Sequence, residues 1–311
     1  MNSRAFDILT ILGPTATGKT SLAVAVASQL GAELISADSR QVFRGMNIGT
    51  GKDLCEYILP DGSTLPYHLI DIRDAGTPFS LYDYVGEFYK VYTDITARGR
   101  MPLLTGGTGL YIETVLAGRH LHEIPPDDTL RGELTLLSRD DLWNIFLRFP
   151  FRPQVDYSSN RRLIRAIEIA RYYAAHPDHT PKMNPLKPNS LIVGIDIDRP
   201  TRNARIEKRL KERLEQGMIE EVRSLLEQGI SEEILIGYGL EYRFVTRYLR
   251  KELTYNEMEE QLAIAIRQFS KRQMTWFRGM ERRGFSIHWI DGTLPKEDCV
   301  EQILSLLQVS E

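Results

Sequence analysis

The sequence predicts an α/β protein, a parallel sheet flanked by helices, with a helical insertion. Three observations lead there. Short apolar runs alternate with stretches of helical spacing through residues 1–119 and again through 189–311. A glycine-rich turn joins the first apolar run to the first helical stretch. From 120 to 188 the strand signals stop, and helix-like stretches with scattered prolines replace them.

Phe6–Leu12 is a short run of β-formers that ends at Gly13, and a helical pattern follows from Thr20 to Leu30. Glu33–Ser36 and Tyr67–Ile72 are the next buried strands, the latter just after Pro66. Leu81–Arg98 has apolar and aromatic residues at helical spacing. Met101–Thr105 is a further strand, followed by glycines and a helix over Leu110–Leu116. The insertion occupies His120 to about Lys187, and Ser190–Asp198 returns to the sheet. Two long amphipathic helices follow, Ala204–Gln228, interrupted at Gly217, and Asn256–Met280. Gly284–Ile290 is a late edge strand and Pro295–Val309 a final helix. The organisation is therefore an α/β core (1–119), a helical insertion (120–188) and a return to the core (189–311).

The chain has 311 residues, 42% of them hydrophobic, enough for a sizeable core and too many for wholesale disorder. No apolar run approaches bilayer length, and Met1–Phe6 has no signal-peptide h-region. The expectation is a soluble, cytoplasmic monomer with no membrane association. Cys55 and Cys299 are expected to be free thiols. A net charge of −3 argues weakly against a dedicated nucleic-acid binder, although basic residues cluster at Arg161–Arg162–Arg165 and from Lys271 to Arg283. On charge alone such clusters are solvated helix faces.

Gly13-Pro14-Thr15-Ala16-Thr17-Gly18-Lys19-Thr20 fits G-x-x-x-x-G-K-S/T, after a strand and before a helix, as that motif requires. The fold expected is accordingly P-loop NTPase-like. Backbone amides turn inward around phosphate and the helix N-terminus favours negative charge. Lys19 reaches phosphate oxygens and the Thr20 hydroxyl is the candidate ligand for Mg²⁺. The motif implies a diphosphate or triphosphate ligand without saying which. Asp38 directly follows the second strand, where a carboxylate faces the ligand crevice of a parallel sheet. It is equally placed to be a helix cap.

DSRQVFRGMNIGTGK (Asp38–Lys52) resembles the signature of the tRNA dimethylallyltransferase family, also called tRNA isopentenyltransferase. GPTATGKT is similar to that family's phosphate loop. HLIDIRD (His68–Asp74), GRMPLLTGGTGLY (Gly99–Tyr111), RRLIRAIEI (Arg161–Ile169), RIEKRLKERLEQGMIEEV (Arg205–Val222) and KRQMTWFR (Lys271–Arg278) fit too, in the family's order.

The resemblance implies transfer of a dimethylallyl group from dimethylallyl diphosphate to N6 of the adenosine immediately 3′ of the anticodon, with release of diphosphate. It implies Asp38 as general base, with Lys19, Thr20 and either Arg205 or Arg209 at the leaving group and Mg²⁺ as cofactor. Asp38, Ser39, Arg40, Gln41 and Thr108 match substrate-facing positions. The candidate contacts to the tRNA anticodon stem-loop are Arg131, Arg161, Arg162, Arg165, Lys271, Arg272, Gln273 and Arg278. Extraction of the target base from the loop has to be offset by such contacts.

The sequence departs from the family pattern in places. Where Gly-Tyr-Arg or Gly-Tyr-Lys is usual it has Ile236-Gly237-Tyr238-Gly239-Leu240-Glu241-Tyr242-Arg243, and the usual His-Pro-Asn-Asp element is replaced by Val155-Asp156-Tyr157-Ser158-Ser159-Asn160. These changes point to a divergent bacterial-type branch. Competing readings are an adenylate isopentenyltransferase acting on free AMP, ADP or ATP, a small-molecule kinase, and a noncatalytic tRNA-binding protein. The histidine pairs His120/His122 and His176/His179 lack the further ligands of a metal site.

Overall fold

The structure, a computed structural model, describes residues 5–119, 121, 124–153, 157–178 and 186–308. The chain divides into two compact units, Met1–Gly118 with Leu186–Glu311, and Arg119–Pro185. His120, His122 and His179, and the Val155-Asp156 part of the divergent element, lie outside the described residues.

In the larger unit the order is β1 (Ile8–Leu12), α1 (Lys19–Leu30), β2 (Glu33–Ser36), β3 (Phe43–Arg44), a 3₁₀ turn (Leu54–Tyr57), β4 (Tyr67–His68), β5 (Arg73–Asp74), α2 (Leu81–Ala97), β6 (Pro102–Gly106) and α3 (Gly109–Leu116). The smaller unit holds α4 (Asp128–Thr135), α5 (Arg139–Leu147) and α6 (Asn160–Ala175). The chain re-enters the larger unit through β7 (Ser190–Asp196), α7 (Arg199–Glu215), α8 (Met218–Glu227), α9 (Glu232–Tyr238), α10 (Leu240–Leu249), α11 (Tyr255–Arg282), β8 (His288–Asp291) and α12 (Lys296–Gln308).

Six strands form one sheet, in the order β4-β2-β6-β1-β7-β8, and every pairing is parallel. All residues of β1, β2 and β6 are buried, the expected state of parallel strands covered on both faces. Leu9 sits in register with Leu103 on one side and Leu191 on the other. One face packs Leu9, Ile11, Leu34, Leu103 and Val193 against Ala23, Val26 and Ala27 of α1 and Ile303 of α12. A second apolar cluster joins Ile206, Leu210, Val222, Leu235, Tyr242 and Leu262 of the later helices to Val42, Phe43 and Met46. Cys55 is exposed and Cys299 buried, and both are free.

Several strand and helix limits differ from the sequence reading. The strand expected over Tyr67–Ile72 stops at His68, because Leu69 and Asp71 adopt φ of +63° and +54° and swing the chain out of the sheet. Asp71 then meets Lys52, and Phe43–Arg44 pairs with Arg73–Asp74 as a separate two-stranded ribbon. The helix expected over Ala204–Gln228 begins earlier, at Arg199, capped by Asp198; its expected interruption falls at Gly217 (φ +100°). Helices α9 and α10 had no clear sequence signal, since Gly237 and Gly239 interrupt their apolar spacing.

The smaller unit buries Leu130, Leu134, Leu142, Phe146, Leu163 and Ile167 between its three helices. Glu168, with 1% side-chain exposure, is its polar centre. It accepts from Arg131 Nη2 at 3.0 Å, Arg165 Nη1 at 3.0 Å and the Asp127 amide at 2.9 Å. A buried carboxylate needs such partners to stay ionised.

Candidate active site

The carboxyl ends of β1, β2 and β6 are adjacent in the sheet, and each runs into a loop of the same cleft. This is the position where open parallel sheets bind ligands. The cleft has a volume of about 450 Å³. After β1 comes the phosphate loop, in which Ala16 (φ +66°) and Gly18 (φ +82°) turn the backbone into α1. Gly18 stands at the N-cap and supplies no side-chain cap, so the first amides of α1 have no side-chain acceptor there. Of the loop residues, Thr15, Lys19 and Thr20 line the cleft, while Gly13, Pro14, Ala16, Thr17 and Gly18 shape the turn. Pro14 O accepts from Thr17 Oγ1 at 3.0 Å and from Lys19 Nζ at 3.5 Å.

Lys19 is one of three cations on this wall, with Arg209 and Arg213 from successive turns of α7. Burial, then the positive charge of Arg209, pulls the Lys19 ammonium down to about 8. Burial, then Arg213, pulls the Arg209 guanidinium down to about 10. Arg209 Nη2 also donates to Thr15 Oγ1, tying α7 to the phosphate loop. Partly desolvated cations that weaken one another form a wall that an anion would stabilise. Arg205, one turn earlier, lies outside the cleft lining; its Nη2 reaches Gly292 O at 3.5 Å. Arg213 escaped the sequence reading, although it continues the i, i+4 row of Arg205 and Arg209.

No helix follows Asp38, so it is not a helix cap. Its Oδ1 accepts from the Arg40 amide at 2.8 Å, an Asx-type turn that aims the carboxylate into the cleft. Ser39 N donates to Thr108 Oγ1 at 3.1 Å, so the Thr108 hydroxyl holds the Asp38 loop instead of capping α3. Gln41 accepts from Ser36 Oγ at 2.9 Å and donates to Gly51 O at 3.0 Å. The Arg40 guanidinium donates to Gly237 O at 3.2 Å and lies 5.9 Å from the Tyr238 ring centroid.

The loop through residues 47–52, which also lines the cleft, is fastened from two sides. Glu221 on α8 accepts from the amides of Asn47, Ile48 and Gly49 at 2.7, 2.7 and 3.0 Å, and from the Tyr242 hydroxyl at 2.8 Å. Lys52, buried, donates to Phe43 O at 2.6 Å, to Asn47 Oδ1 at 3.0 Å and to Asp71. The divergent stretch from Gly237 to Arg243 lines the cleft, and burial raises the Glu241 carboxyl above its usual range. Helix α11 adds Phe269, Arg272, Gln273 and Trp276. Helical spacing in the sequence does not separate such a cleft wall from a core face.

The basic residues named from the sequence separate into groups. Arg272 lines the cleft, 5.8 Å from the Phe269 ring centroid. Gln273 also lines it, with both ends of its amide bonded to backbone groups. Lys271 is exposed on α11, and Arg278 stacks 4.2 Å over Trp289 while meeting Asp196 and Glu281. In the smaller unit Arg131 and Arg165 serve Glu168, Arg161 is exposed, and Arg162 donates to Ser158 Oγ at 2.7 Å.

The Thr20 hydroxyl, on the cleft wall, suits a hard cation held mainly through substrate oxygens. Among the described residues no group of three or more His, Cys, Asp or Glu forms a protein-only metal cage. The described residues also hold no helix long and apolar enough to cross a membrane.

The IPP transferase family profile matches residues 41–280, and that of isopentenyl transferase matches residues 6–59. The chain is 53% identical to tRNA dimethylallyltransferase 1 of Porphyromonas gingivalis over 300 residues, 96% of this chain and 98% of that one. It is 48% identical to tRNA dimethylallyltransferase 1 of Parabacteroides distasonis over 305 residues, 98% of each. The crystal structure of the tRNA isopentenylpyrophosphate transferase of Bacillus halodurans superposes with a TM-score of 0.70 at 30% identity, covering 97% of this chain and 96% of that one. The chain therefore belongs to the tRNA dimethylallyltransferase family, the IPP transferases.

Proposed function

We propose that the chain transfers a dimethylallyl group from dimethylallyl diphosphate to N6 of the adenosine immediately 3′ of the anticodon in tRNA, releasing diphosphate. The observation that carries this reading is the presence, in one cleft, of a cluster of cations (Lys19, Arg209, Arg213) and the Asp38 carboxylate. The allylic C–O bond breaks as charge gathers on the diphosphate, and the wall's cations and the remaining loop amides receive that charge. The new C–N6 bond forms while Asp38 takes the amine proton. Mg²⁺, held by Thr20 and by substrate oxygens, would add further charge neutralisation at the diphosphate.

tRNA as acceptor is favoured over free AMP, ADP or ATP by the likeness to tRNA dimethylallyltransferases, which covers 96–98% of this chain and 98% of theirs. The smaller unit and the exposed basic positions Arg161 and Lys271 are surplus to a nucleotide-sized acceptor. Asp38→Ala should lower turnover about 10²-fold or more while tRNA affinity stays near wild type. Unchanged turnover would remove Asp38 from the chemistry.

A further inference from the structure

Gln273 is only 8% exposed, and its side-chain amide joins two loops of the cleft. Its Oε1 accepts from Thr15 N at 2.9 Å, on the phosphate loop, and its Nε2 donates to Gly107 O at 2.8 Å, on the turn after β6. The next residue of that turn, Thr108, holds the Ser39 amide at 3.1 Å, directly after Asp38. Thr15 is secured a second time through its hydroxyl, by Arg209. A Cβ on Gly107 would lie 2.4 Å from Gln273 Nε2, so glycine there leaves the room the amide occupies. An unbroken series of hydrogen bonds and backbone thus runs from Arg209 through Thr15, Gln273 and Gly107–Thr108 to the loop of Asp38.

We infer that Gln273 is a positioning residue that fixes the separation between the diphosphate end of the cleft and Asp38, aligning leaving group and base. The inference rests on the function proposed above. It gives Gln273 a task other than contact with RNA, and it removes the Thr15 amide from the donors open to diphosphate. Transfer needs both ends of the reacting system aligned at once, and a misplacement near 1 Å costs about 10²-fold in rate.

The test measures prenyl transfer to unmodified tRNA, with Mg²⁺ and dimethylallyl diphosphate, by wild type, Gln273→Ala, Gln273→Glu, Gly107→Ala and the Gly107→Ala/Gln273→Ala double variant. Melting temperature is followed in parallel. Gln273→Glu keeps an acceptor for Thr15 N but sets a carboxylate oxygen against Gly107 O. The single variants should lose roughly tenfold or more in kcat, with KM for tRNA within about threefold of wild type. The double variant should be no worse than the worse single one, because both changes break the same link. A raised KM for tRNA with unchanged kcat would make Gln273 an RNA contact and overturn the inference, as would fully additive losses or no loss at all. If Gln273→Ala does not fold, Gly107→Ala carries the same readouts without deleting a polar side chain. Wild type that transfers no prenyl group to tRNA overturns the functional reading, and the role inferred for Gln273 with it.

Discussion

Lys19 is held where its charge is least comfortable. Burial and the neighbouring Arg209 bring its ammonium from 10.5 down to about 8, so the free protein loses that proton near the upper edge of the physiological range. The charged form is the one that receives a diphosphate, so donor capture weakens as pH rises through that value. At saturating tRNA, kcat/KM for dimethylallyl diphosphate should fall on the alkaline side of about pH 8. A profile that stayed flat through that range would remove Lys19 from donor recognition. At this scale the motif residues were legible, because G-x-x-x-x-G-K-S/T constrains backbone and side chain together. Arg213 and Glu241 were not. Each enters the cleft through the packing of α7 and α10, and that packing depends on residues distant in sequence.

Loops stand firm where an element behind them supplies acceptors. The carboxylate of Glu221, on α8, gathers three consecutive backbone amides and the Tyr242 hydroxyl. These bonds hold the segment that brings Gly49, Thr50 and Gly51 to the cleft wall. Charge-assisted bonds of this kind are worth about 1.5–3 kcal/mol, and a buried amide left unmet costs about 1–3 kcal/mol. Glu221→Gln should lower stability by about 2 kcal/mol in denaturant titration and raise KM for tRNA more than KM for the donor. An unchanged midpoint would show that the amides find other acceptors. The sequence offered Glu221 only as one acidic residue in an amphipathic helix. The smaller unit gives a parallel case: Arg131 and Arg165, candidate tRNA contacts under the family resemblance, converge on buried Glu168. A charge run alone does not distinguish a solvated face from a buried ion-pair centre.

The whole molecule follows from alternation and burial. Strands β1, β2, β6 and β7 were legible as apolar runs because both faces of a parallel sheet are covered. The edges were harder. At Leu69 and Asp71 two residues with positive φ end β4 early, and nothing in an apolar run announces a left-handed backbone. The sheet sets three loops side by side at its carboxyl edge, and the later helices α7, α10 and α11 supply cations and aromatics to the same cleft. The central claim is that this cleft prenylates an adenine within tRNA. The most direct test is a paired incubation of the purified protein with Mg²⁺ and dimethylallyl diphosphate, offering unmodified tRNA in one arm and AMP in the other. Mass spectrometry of the digested nucleosides then locates the prenyl group. Product on tRNA and none on AMP is the result predicted here; product on AMP alone, or on neither acceptor, would contradict it.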